Sequence, residues 1–183
     1  MIGGGARSGK SRFALHMAEA RGKRRLFVAT AEAFDDEMRT RIERHRAERG
    51  GAFETVEAPR DLDAVMARLA GDGAAFDVVV IDCITLWLSN LLLRGDPASQ
   101  IERRVDALAS ALVGAPFGAI VVTNEVGMGL VPETPLGRAF RDVAGAAHQR
   151  LAASASELYL ATLGAILRLR PAPVALVDHG RGS

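Results

Sequence analysis

The sequence predicts an α/β fold in which a doubly wound, mostly parallel sheet is flanked by helices. Two observations lead to this prediction. Apolar, β-branched runs alternate along the chain with stretches of helical periodicity. Within the runs the apolar residues are continuous, which indicates strands covered on both faces. The 183 residues, of which 49% are hydrophobic, suit one domain over 1–183 with a sizeable core.

Each apolar run predicts a strand, and the last two form a closing pair. The expected strands are Arg24–Ala31, Phe76–Thr85, Gly118–Glu125, Ser156–Ala165 and Ala165–Arg170. Apolar residues that recur every three or four positions predict the helices. The expected helices are Ser11–Arg21, Asp36–Arg49, Leu62–Ala70, Ala98–Val113 and Pro135–Ala153. We expect the segment Arg170–Ser183 to be loosely ordered.

Composition argues against several classes of partner and location. The formal net charge of +1 argues against a nucleic-acid-binding surface. No apolar run reaches the roughly 18 residues of a membrane span, and no signal peptide opens the sequence. The single cysteine, Cys83, cannot form an intrachain disulfide and fits a reducing compartment. The expectation is a cytoplasmic protein.

A glycine-rich segment near the start carries the first chemical signal. The residues "GGARSGKS", Gly4–Ser11, match the phosphate-binding loop pattern G-x-x-x-x-G-K-[ST]. The glycines let backbone N–H groups turn towards phosphate oxygens, and the dipole of the following helix favours the same anion. We expect Lys10 to reach the β- and γ-phosphates and to face solvent without ligand, and Ser11 to bind Mg²⁺.

The strand that should precede this loop has little sequence to form it. Only Met1, Ile2 and Gly3 stand before Gly4. Either the first strand is unusually short, or the start of the chain is misplaced or truncated.

A strand-end carboxylate supplies the second half of a nucleotide site. The apolar run Val78–Ile81 ends in Asp82, and open α/β sheets bind ligands at the carboxyl ends of their strands. Asp82 is therefore expected to hold Mg²⁺ directly or through water. The base-reading motif N-K-x-D of switch GTPases does not occur. A small-molecule kinase, an ATP-driven motor-like domain and a nucleotidyl transferase remain open.

The predicted helix Asp36–Arg49 places a histidine among arginines. His45 shares one helical face with Met38 and Ile42, and five arginines lie within six residues of it. Neighbouring cations favour the neutral ring, whose lone pair could attack phosphorus while the arginines stabilise a triphosphate. Spacing alone favours a plainer interpretation, a half-buried histidine on a charged helix.

Five segments follow one another in a specific order. They are "GGARSGKSRFA", "VATAEAFDDEMRTRIERHRAER", "TVEAP", "VVVIDCITLWLSNLL" and "VVTNEVGMGLVPETPLGRAFRDVAGAAHQRLA". Together they resemble the bifunctional adenosylcobinamide kinase/adenosylcobinamide-phosphate guanylyltransferase family of cobalamin biosynthesis. The resemblance extends from about Gly4 to Arg170. Its most specific motifs are D-D-E-M-x-x-R-I-x-x-H-R and T-N-E-V-G-x-G-x-V-P.

The resemblance implies a RecA-like P-loop NTPase fold with a short antiparallel closing strand, and two reactions. ATP or GTP phosphorylates the aminopropanol hydroxyl of adenosylcobinamide. GMP from GTP then joins that phosphate, with loss of pyrophosphate, to give adenosylcobinamide-GDP through a guanylylated histidine. By the resemblance, His45 is that covalent nucleophile, and Lys10 is the other catalytic residue. Mg²⁺ and a homotrimer, which would let an active site be completed across subunits, are also implied.

The family's nucleotide-binding positions carry over residue by residue. They are Gly4, Gly5, Ala6, Arg7, Ser8, Gly9, Lys10, Ser11, Ala29, Thr30, Ala31, Arg46, Ala47, Glu48, Arg49, Glu57 and Asp82. The chain departs from the pattern before Gly4 and in "TLGAILRLR", which lacks the usual G-L-P-L-like run and final lysine.

Several other residues carry open interpretations. Asn124 and Glu125 could position Mg²⁺, water or the acceptor hydroxyl, or could cap a loop. His16 and His148 are expected to be structural, and Trp87 to lie in the core or at a subunit contact. Two rival functions also remain, a kinase with an inert His45 and a regulatory module that binds GTP without transferring it.

Overall fold

One eight-stranded sheet forms the centre of the fold. The computed structural model describes residues 1–33, 36–73 and 75–177. In the helix Asp36–Arg49 some side chains also lie outside the described part, those of Glu37, Met38, Arg41, Arg44, His45, Glu48 and Arg49. The strands are β1 (Ile2–Gly4), β2 (Arg25–Ala29), β3 (Glu54–Glu57), β4 (Val78–Asp82), β5 (Gly118–Asn124), β6 (Leu158–Thr162), β7 (Ala165–Arg170) and β8 (Ala175–Val177).

The sheet is parallel except at one end. Its strand order is β3-β2-β4-β5-β1-β6-β7-β8. The strands from β3 to β6 in this order run parallel, whereas β7 and β8 each run antiparallel to the strand before them. The helices that connect the strands are α1 (Lys10–Arg21), α2 (Asp36–Arg49), α3 (Leu62–Gly71), α4 (Ile84–Leu93), α5 (Ala98–Val113) and α6 (Pro135–Ser154).

Alternate residues of the same strands build two separate cores. In β4, Val79 and Ile81 pack with residues of α3, α4, α5 and α6 on one face of the sheet. Val78 and Val80 point to the opposite face and pack with α1. Because successive side chains of a strand alternate between faces, a strand buried on both faces is apolar at every position. The predicted α/β class, with a parallel sheet covered on both faces, is confirmed.

Strand β1 resolves the question of what holds the glycine-rich loop. It has only three residues, yet it lies inside the sheet between β5 and β6. Ile2 pairs with Val122 on one side and with Tyr159 on the other, and the Ile2 side chain is fully buried. Pairing on both sides therefore holds the three residues of β1 in place.

Several elements differ from their prediction. Helix α4 and strand β3 were not predicted, and α4 escaped detection because its side chains are buried nearly all round and its sequence continues the apolar run of β4. The closing segment has two antiparallel strands, β7 and β8, in place of one. The prediction of a loosely ordered tail is wrong for Ala175–Val177, which pairs with β7. Residues 178–183 lie outside the described part.

Trp87 is buried beneath the start of α3. The Trp87 side chain is 0% exposed, and its indole N–H donates to the carbonyl of Arg60 at 2.8 Å, so Trp87 is a core residue.

Among the described helices, none combines the length and the apolar character needed to cross a bilayer. The prediction of one domain over 1–183 stays a prediction.

Asn90 in α4 ties together the carboxyl ends of two neighbouring strands. Its side-chain amide donates to the carbonyl of Thr30, just after β2, at 2.9 Å and to that of Pro59, just after β3, at 2.8 Å. The Asn90 side chain is buried, so water cannot replace these bonds without opening the structure.

We predict that Asn90→Ala lowers the free energy of unfolding by about 1–3 kcal/mol, because two buried carbonyl groups lose their donor. Ser89→Ala, which changes a half-buried side chain of the same helix, is the matched control. Urea unfolding followed by circular dichroism measures both. A loss for Asn90→Ala no larger than that of the control would show that the two carbonyls find other donors.

Candidate functional site

The glycine-rich loop leaves β1 at Gly4 and enters α1 at Lys10. Gly9, the residue before the helix, has φ 91°, a left-handed conformation that suits glycine. Inside the loop the N–H of Ser8 donates to the carbonyl of Gly5 at 3.3 Å, and the N–H of Phe13 donates to the carbonyl of Gly9 at 3.0 Å. The N–H groups at the start of a helix point out of its N-terminal end, and for α1 that end adjoins the loop.

Gly4 is a position where a side chain has no room. A Cβ there would lie 2.4 Å from the carbonyl oxygen of Ala161 in β6 and 2.8 Å from the hydroxyl of Ser8. On the other side of β1, the carbonyl of Gly4 accepts a hydrogen bond from the N–H of Glu125 at 2.9 Å. The start of the loop is thus enclosed by both neighbouring strands. By contrast, a Cβ on Gly5 would meet nothing within 4 Å.

Lys10 does not face solvent, which corrects the expectation from the sequence. Its residue surface is 7% exposed, and its ammonium group donates to the carbonyl of Gly5 at 3.0 Å. A cation is therefore held within the loop by the loop's own backbone. Such a charge is already in place to stabilise an anion when one binds.

Ser8 supplies a second polar group that faces the loop. Its hydroxyl oxygen is buried and has no hydrogen-bond partner among the described residues. Buried polar atoms are rarely left unpaired in proteins, and a missing partner often marks a site for an ion or a ligand. The hydroxyl of Ser8 and the cation of Lys10 together fit a bound anion such as a phosphate group.

The carboxyl ends of β2 and β4 lie at the same end of the sheet as the loop. Ala29 lies opposite Asp82 in the pairing of these strands, and the N–H of Thr30 donates to the carbonyl of Asp82 at 3.2 Å. The buried Thr30 hydroxyl donates to the carbonyl of Cys83 and accepts from the Cys83 N–H, each at 2.7 Å. Thr30 and Asp82, both predicted site residues, are therefore brought together at one sheet edge, and half-buried Ala31 follows them.

Helix α2 reaches the same region through Arg46. Its guanidinium forms an ion pair with the carboxylate of Glu57 at the end of β3, with a separation of 2.5 Å. Arg46 and Glu57 are both predicted nucleotide-binding residues, and Ala47 beside them is exposed. The side chains of the other predicted residues of this helix, His45, Glu48 and Arg49, lie outside the described part of the chain. Their backbone belongs to α2.

Two oxygen donors are available for a divalent cation. Ser11 in the first turn of α1 and Asp82 at the end of β4 are both half-buried. Within residues 1–33, 36–73 and 75–177 no group of three or more histidine, cysteine or acidic side chains could hold a metal ion. Mg²⁺ keeps several waters and takes one or two protein oxygens together with phosphate oxygens, so the donors present fit it.

A hydrogen-bonded cluster lies at the end of β5, where sequence reasoning left the roles of the residues open. The Asn124 amide donates to the hydroxyl of Thr85 at 3.2 Å. Thr123 lies 2.7 Å from the Nε2 atom of His148, and the Nδ1 atom of the same ring lies 4.0 Å from the Glu125 carboxylate. Burial lowers the pKa of His148, and the nearby charge of Glu125 opposes this effect. His148 therefore belongs to the site edge.

The contact of His148 was not predicted, because its helical periodicity indicates only that the residue faces inward. The residue it meets, Thr123, is 25 positions earlier in the chain. The T-N-E triplet at a strand end was the available signal for a polar partner at this place.

Cys83 is a buried thiol of low reactivity. Burial, followed by the charge of Asp82, raises the pKa of its thiol to about 11. Since the thiolate is the reactive form of cysteine, this thiol is inert near neutral pH. Cys83 is 3% exposed and lies in the core.

The chain matches a known family over most of its length. The sequence model of the cobinamide kinase/cobinamide phosphate guanyltransferase family, CobU, covers residues 1–169. The chain belongs to this family. The family resemblance drawn from the motifs is confirmed, and members of this family are enzymes.

Curated relatives support the same membership. A bifunctional adenosylcobalamin biosynthesis protein of Salmonella typhimurium is 38% identical, over 93% of this chain and 98% of its own length. A protein of the same description from Pseudomonas aeruginosa is 39% identical, over 95% of this chain and 98% of its own. The alignments therefore span nearly the whole of each protein.

Solved structures of other proteins share the fold. A RadB recombinase superposes with a TM-score of 0.51 at 18% identity, covering 91% of this chain and 77% of the other. A KaiC-like protein from Pyrococcus horikoshii superposes with a TM-score of 0.51 at 17% identity, covering 96% and 76%. These likenesses concern the fold alone, and with the sheet order they confirm the predicted α/β fold, a mostly parallel sheet flanked by helices with antiparallel closing strands.

We predict that Gly4→Ala destabilises the protein by about 1–3 kcal/mol, as expected when a methyl group is forced against packed backbone. Gly5→Ala, one residue later, should unfold at nearly the wild-type urea concentration because its Cβ would meet nothing within 4 Å. Urea unfolding of both variants is the measurement. Equal midpoints for the two variants would contradict the close packing of Gly4 against β6.

Proposed function

We propose that this protein carries out both reactions named in its family's description. It would phosphorylate adenosylcobinamide with ATP or GTP, and it would then transfer GMP from GTP to adenosylcobinamide phosphate. The product would be adenosylcobinamide-GDP, an intermediate of adenosylcobalamin biosynthesis. The observation that supports the proposal most strongly is the phosphate-binding loop with its enclosed Lys10 cation, found in a chain that belongs to this family.

In the kinase step the loop binds the nucleotide and lowers the barrier by electrostatics. Backbone N–H groups of the loop segment Gly4–Gly9 bind phosphate oxygens, and the charge of Lys10 offsets the negative charge that develops during transfer. The hydroxyl of the acceptor attacks the γ-phosphorus, and the bond to the β-phosphate oxygen breaks. The acceptor loses its proton, and the nucleoside diphosphate leaves.

Ser11 and Asp82 would hold Mg²⁺ in this site, since both present oxygen atoms at the phosphate edge. When bound, the ion would supply positive charge that offsets part of the negative charge of the phosphates. Glu125 and Asn124 follow from β5 at the same edge, and we assign them to positioning the acceptor hydroxyl or a water molecule. The contact between His148 and Thr123 fixes one side of this arrangement.

In the guanylyl transfer step His45 is the nucleophile. A nitrogen of the neutral ring attacks the α-phosphorus of GTP, forming an N–P bond as the bond to pyrophosphate breaks. A phosphate oxygen of adenosylcobinamide phosphate then attacks the same phosphorus and releases the histidine. Arg46 and Arg49 stabilise the charge on the triphosphate.

The other predicted positions would line the nucleotide. Ala29, Thr30 and Ala31 lie at the end of β2, Ala47 and Glu48 lie on α2, and Glu57 orients Arg46 through their ion pair. One domain over 1–183, a homotrimer and a cytoplasmic location complete the proposal, and they are supported by the family resemblance.

We predict that Lys10→Met lowers the kinase rate by about two to three orders of magnitude, because a preorganised charge at the transition state is lost. Methionine keeps the length of the aliphatic chain in this buried position. The matched control is Lys23→Met, which removes the other lysine of the chain at an exposed position. Initial rates of adenosylcobinamide phosphorylation are compared at saturating ATP. A folded Lys10→Met protein as active as Lys23→Met would exclude the loop from catalysis.

We predict that His45→Ala loses covalent GMP and guanylyl transfer but keeps much of its kinase activity, since the phosphate loop is unchanged. The wild-type protein, incubated with GTP labelled at the α-phosphate and then denatured, should retain label in a bond that is labile in acid and stable in base. Labelling should fall as the pH drops below about 6.5, the ordinary pKa of histidine, because only the neutral ring attacks. His16→Ala, at an exposed position of α1, is the control.

The same experiment separates the rival functions. Label that persists in His45→Ala would place the nucleophile at another residue. A wild-type protein that phosphorylates adenosylcobinamide but never retains label would be a kinase alone, and one that only binds GTP would be a regulatory module. Loss of both activities in a folded His45→Ala protein would indicate a structural role for the histidine.

A further inference from the structure

The segment between β5 and α6 exposes large apolar side chains close to the phosphate loop. Met128 is 80% exposed, Leu130 97% and Val131 69%. Single exposed apolar residues are ordinary on protein surfaces, but a contiguous group indicates a surface that covers another molecule. These three residues lie within four consecutive positions.

The backbone of this segment is held in place by side chains on both sides of the apolar residues. The N–H of Gly127 donates to the Glu125 carboxylate, and the carbonyl of Gly127 accepts from Arg141 at 2.7 Å. Arg138 donates to the carbonyls of Pro132 and Glu133 at 3.1 and 2.7 Å. The apolar side chains are therefore presented to solvent by a fixed backbone, and their exposure does not result from a lack of local contacts.

The position of the segment connects it to the site. The N–H of Glu125 donates to the carbonyl of Gly4, the first residue of the phosphate loop, at 2.9 Å. Met128 follows three residues later, so it lies within about 11 Å of Glu125 along the chain. The apolar side chains thus begin beside the point where the loop leaves the sheet.

One further exposed apolar side chain, that of Leu163, stands on the other side of the loop. Strand β6 runs parallel to β1, with Ala161 opposite Gly4, so the turn after β6 lies at the same edge as the loop. Its residue Leu163 is 99% exposed and has φ 49°. A leucine rarely adopts this left-handed conformation, which asparagine and glycine tolerate better. Leu163 thus adds exposed apolar surface at the edge where the loop lies.

We propose that Met128, Leu130, Val131 and Leu163 form an apolar rim that seats the corrin macrocycle of the acceptor substrate. This inference rests on the proposed function. The acceptor must present its hydroxyl at the γ-phosphate, so the bulk of the molecule has to lie outside the loop at this edge. The segments that follow β5 and β6 flank the loop, because these strands lie on either side of β1. Apolar side chains there can contact the methyl groups at the periphery of the macrocycle.

The nucleotide is a poorer occupant of the rim. Its phosphates bind to the loop and to Lys10, and its base and ribose are polar. A second copy of the chain would be expected to cover one continuous face. Here the apolar residues stand at two places, with the polar phosphate loop and Glu125 between them along the sheet edge. A substrate that spans the loop fits this arrangement.

The test uses exposed residues, whose replacement should leave the fold intact. Val131→Ser is compared with Val113→Ser, because both valines are 69% exposed and Val113 ends α5, away from the loop. A second variant combines Leu130→Ser with Leu163→Asn, since asparagine suits the left-handed turn. Thermal unfolding and sedimentation velocity check the folding and the oligomeric state of each protein.

The expected result is a rise of at least fivefold in the KM for adenosylcobinamide for Val131→Ser and a larger rise for the double variant. The KM for ATP and the yield of covalent GMP from GTP alone, which needs no corrinoid, should match the wild type and Val113→Ser.

Two outcomes would contradict the proposal that the apolar rim binds the corrin macrocycle. One is an unchanged KM for adenosylcobinamide in both variants of an otherwise active protein. The other is a variant that dissociates into smaller species, which would make the surface a contact between copies. A wild-type protein that does not phosphorylate adenosylcobinamide at all would instead refute the proposed function.

Discussion

The phosphate loop depends on a strand of three residues, because β1 carries it and no other element leads into it. Such a strand could not hold its place at the edge of a sheet. It does so here because β5 and β6 bind it from both sides and because Ile2 is fully buried. The absence of a side chain at Gly4 lets β6 approach closely enough to close this pairing. The positions of Lys10, Ser8 and α1 all follow from it.

The polar groups around the loop divide into those that are paired and those that are left for a ligand. Thr30 and Cys83 satisfy each other across β2 and β4, and Asn124 bonds to Thr85. These bonds hold the carboxyl ends of the strands in fixed positions. Lys10 donates to the carbonyl of Gly5, whereas the buried hydroxyl of Ser8 has no partner among the described residues and is left for a ligand. Electrostatic catalysis requires polar groups that are already in position when the anion binds, and a sheet end held by hydrogen bonds meets this requirement.

Local sequence patterns predicted what short-range spacing controls. The loop, the bounds of α2 and α5, and the strand-end position of Asp82 each depend on neighbouring residues, and each was found where the pattern placed it. The contacts that organise the site join distant residues, such as Thr30 with Cys83, 53 positions apart, and Asn90 with Thr30, 60 positions apart. Periodicity carries no information on such pairs. The burial of Lys10 was missed because the motif specifies what the side chain does with a ligand, and says nothing of its place without one.

The chemistry of Cys83 gives the molecule a built-in reporter of its own opening. This is the only cysteine of the sequence, it is 3% exposed, and its pKa of about 11 suppresses the reactive thiolate. An alkylating reagent can therefore reach it only while the junction between β4 and α4 is open and the thiol meets water. The alkylation rate would count those openings directly, without any label or engineered residue. Asp82 and Thr30 adjoin Cys83. If a nucleotide bound at this end of the sheet keeps the junction closed for longer, the alkylation of Cys83 becomes slower.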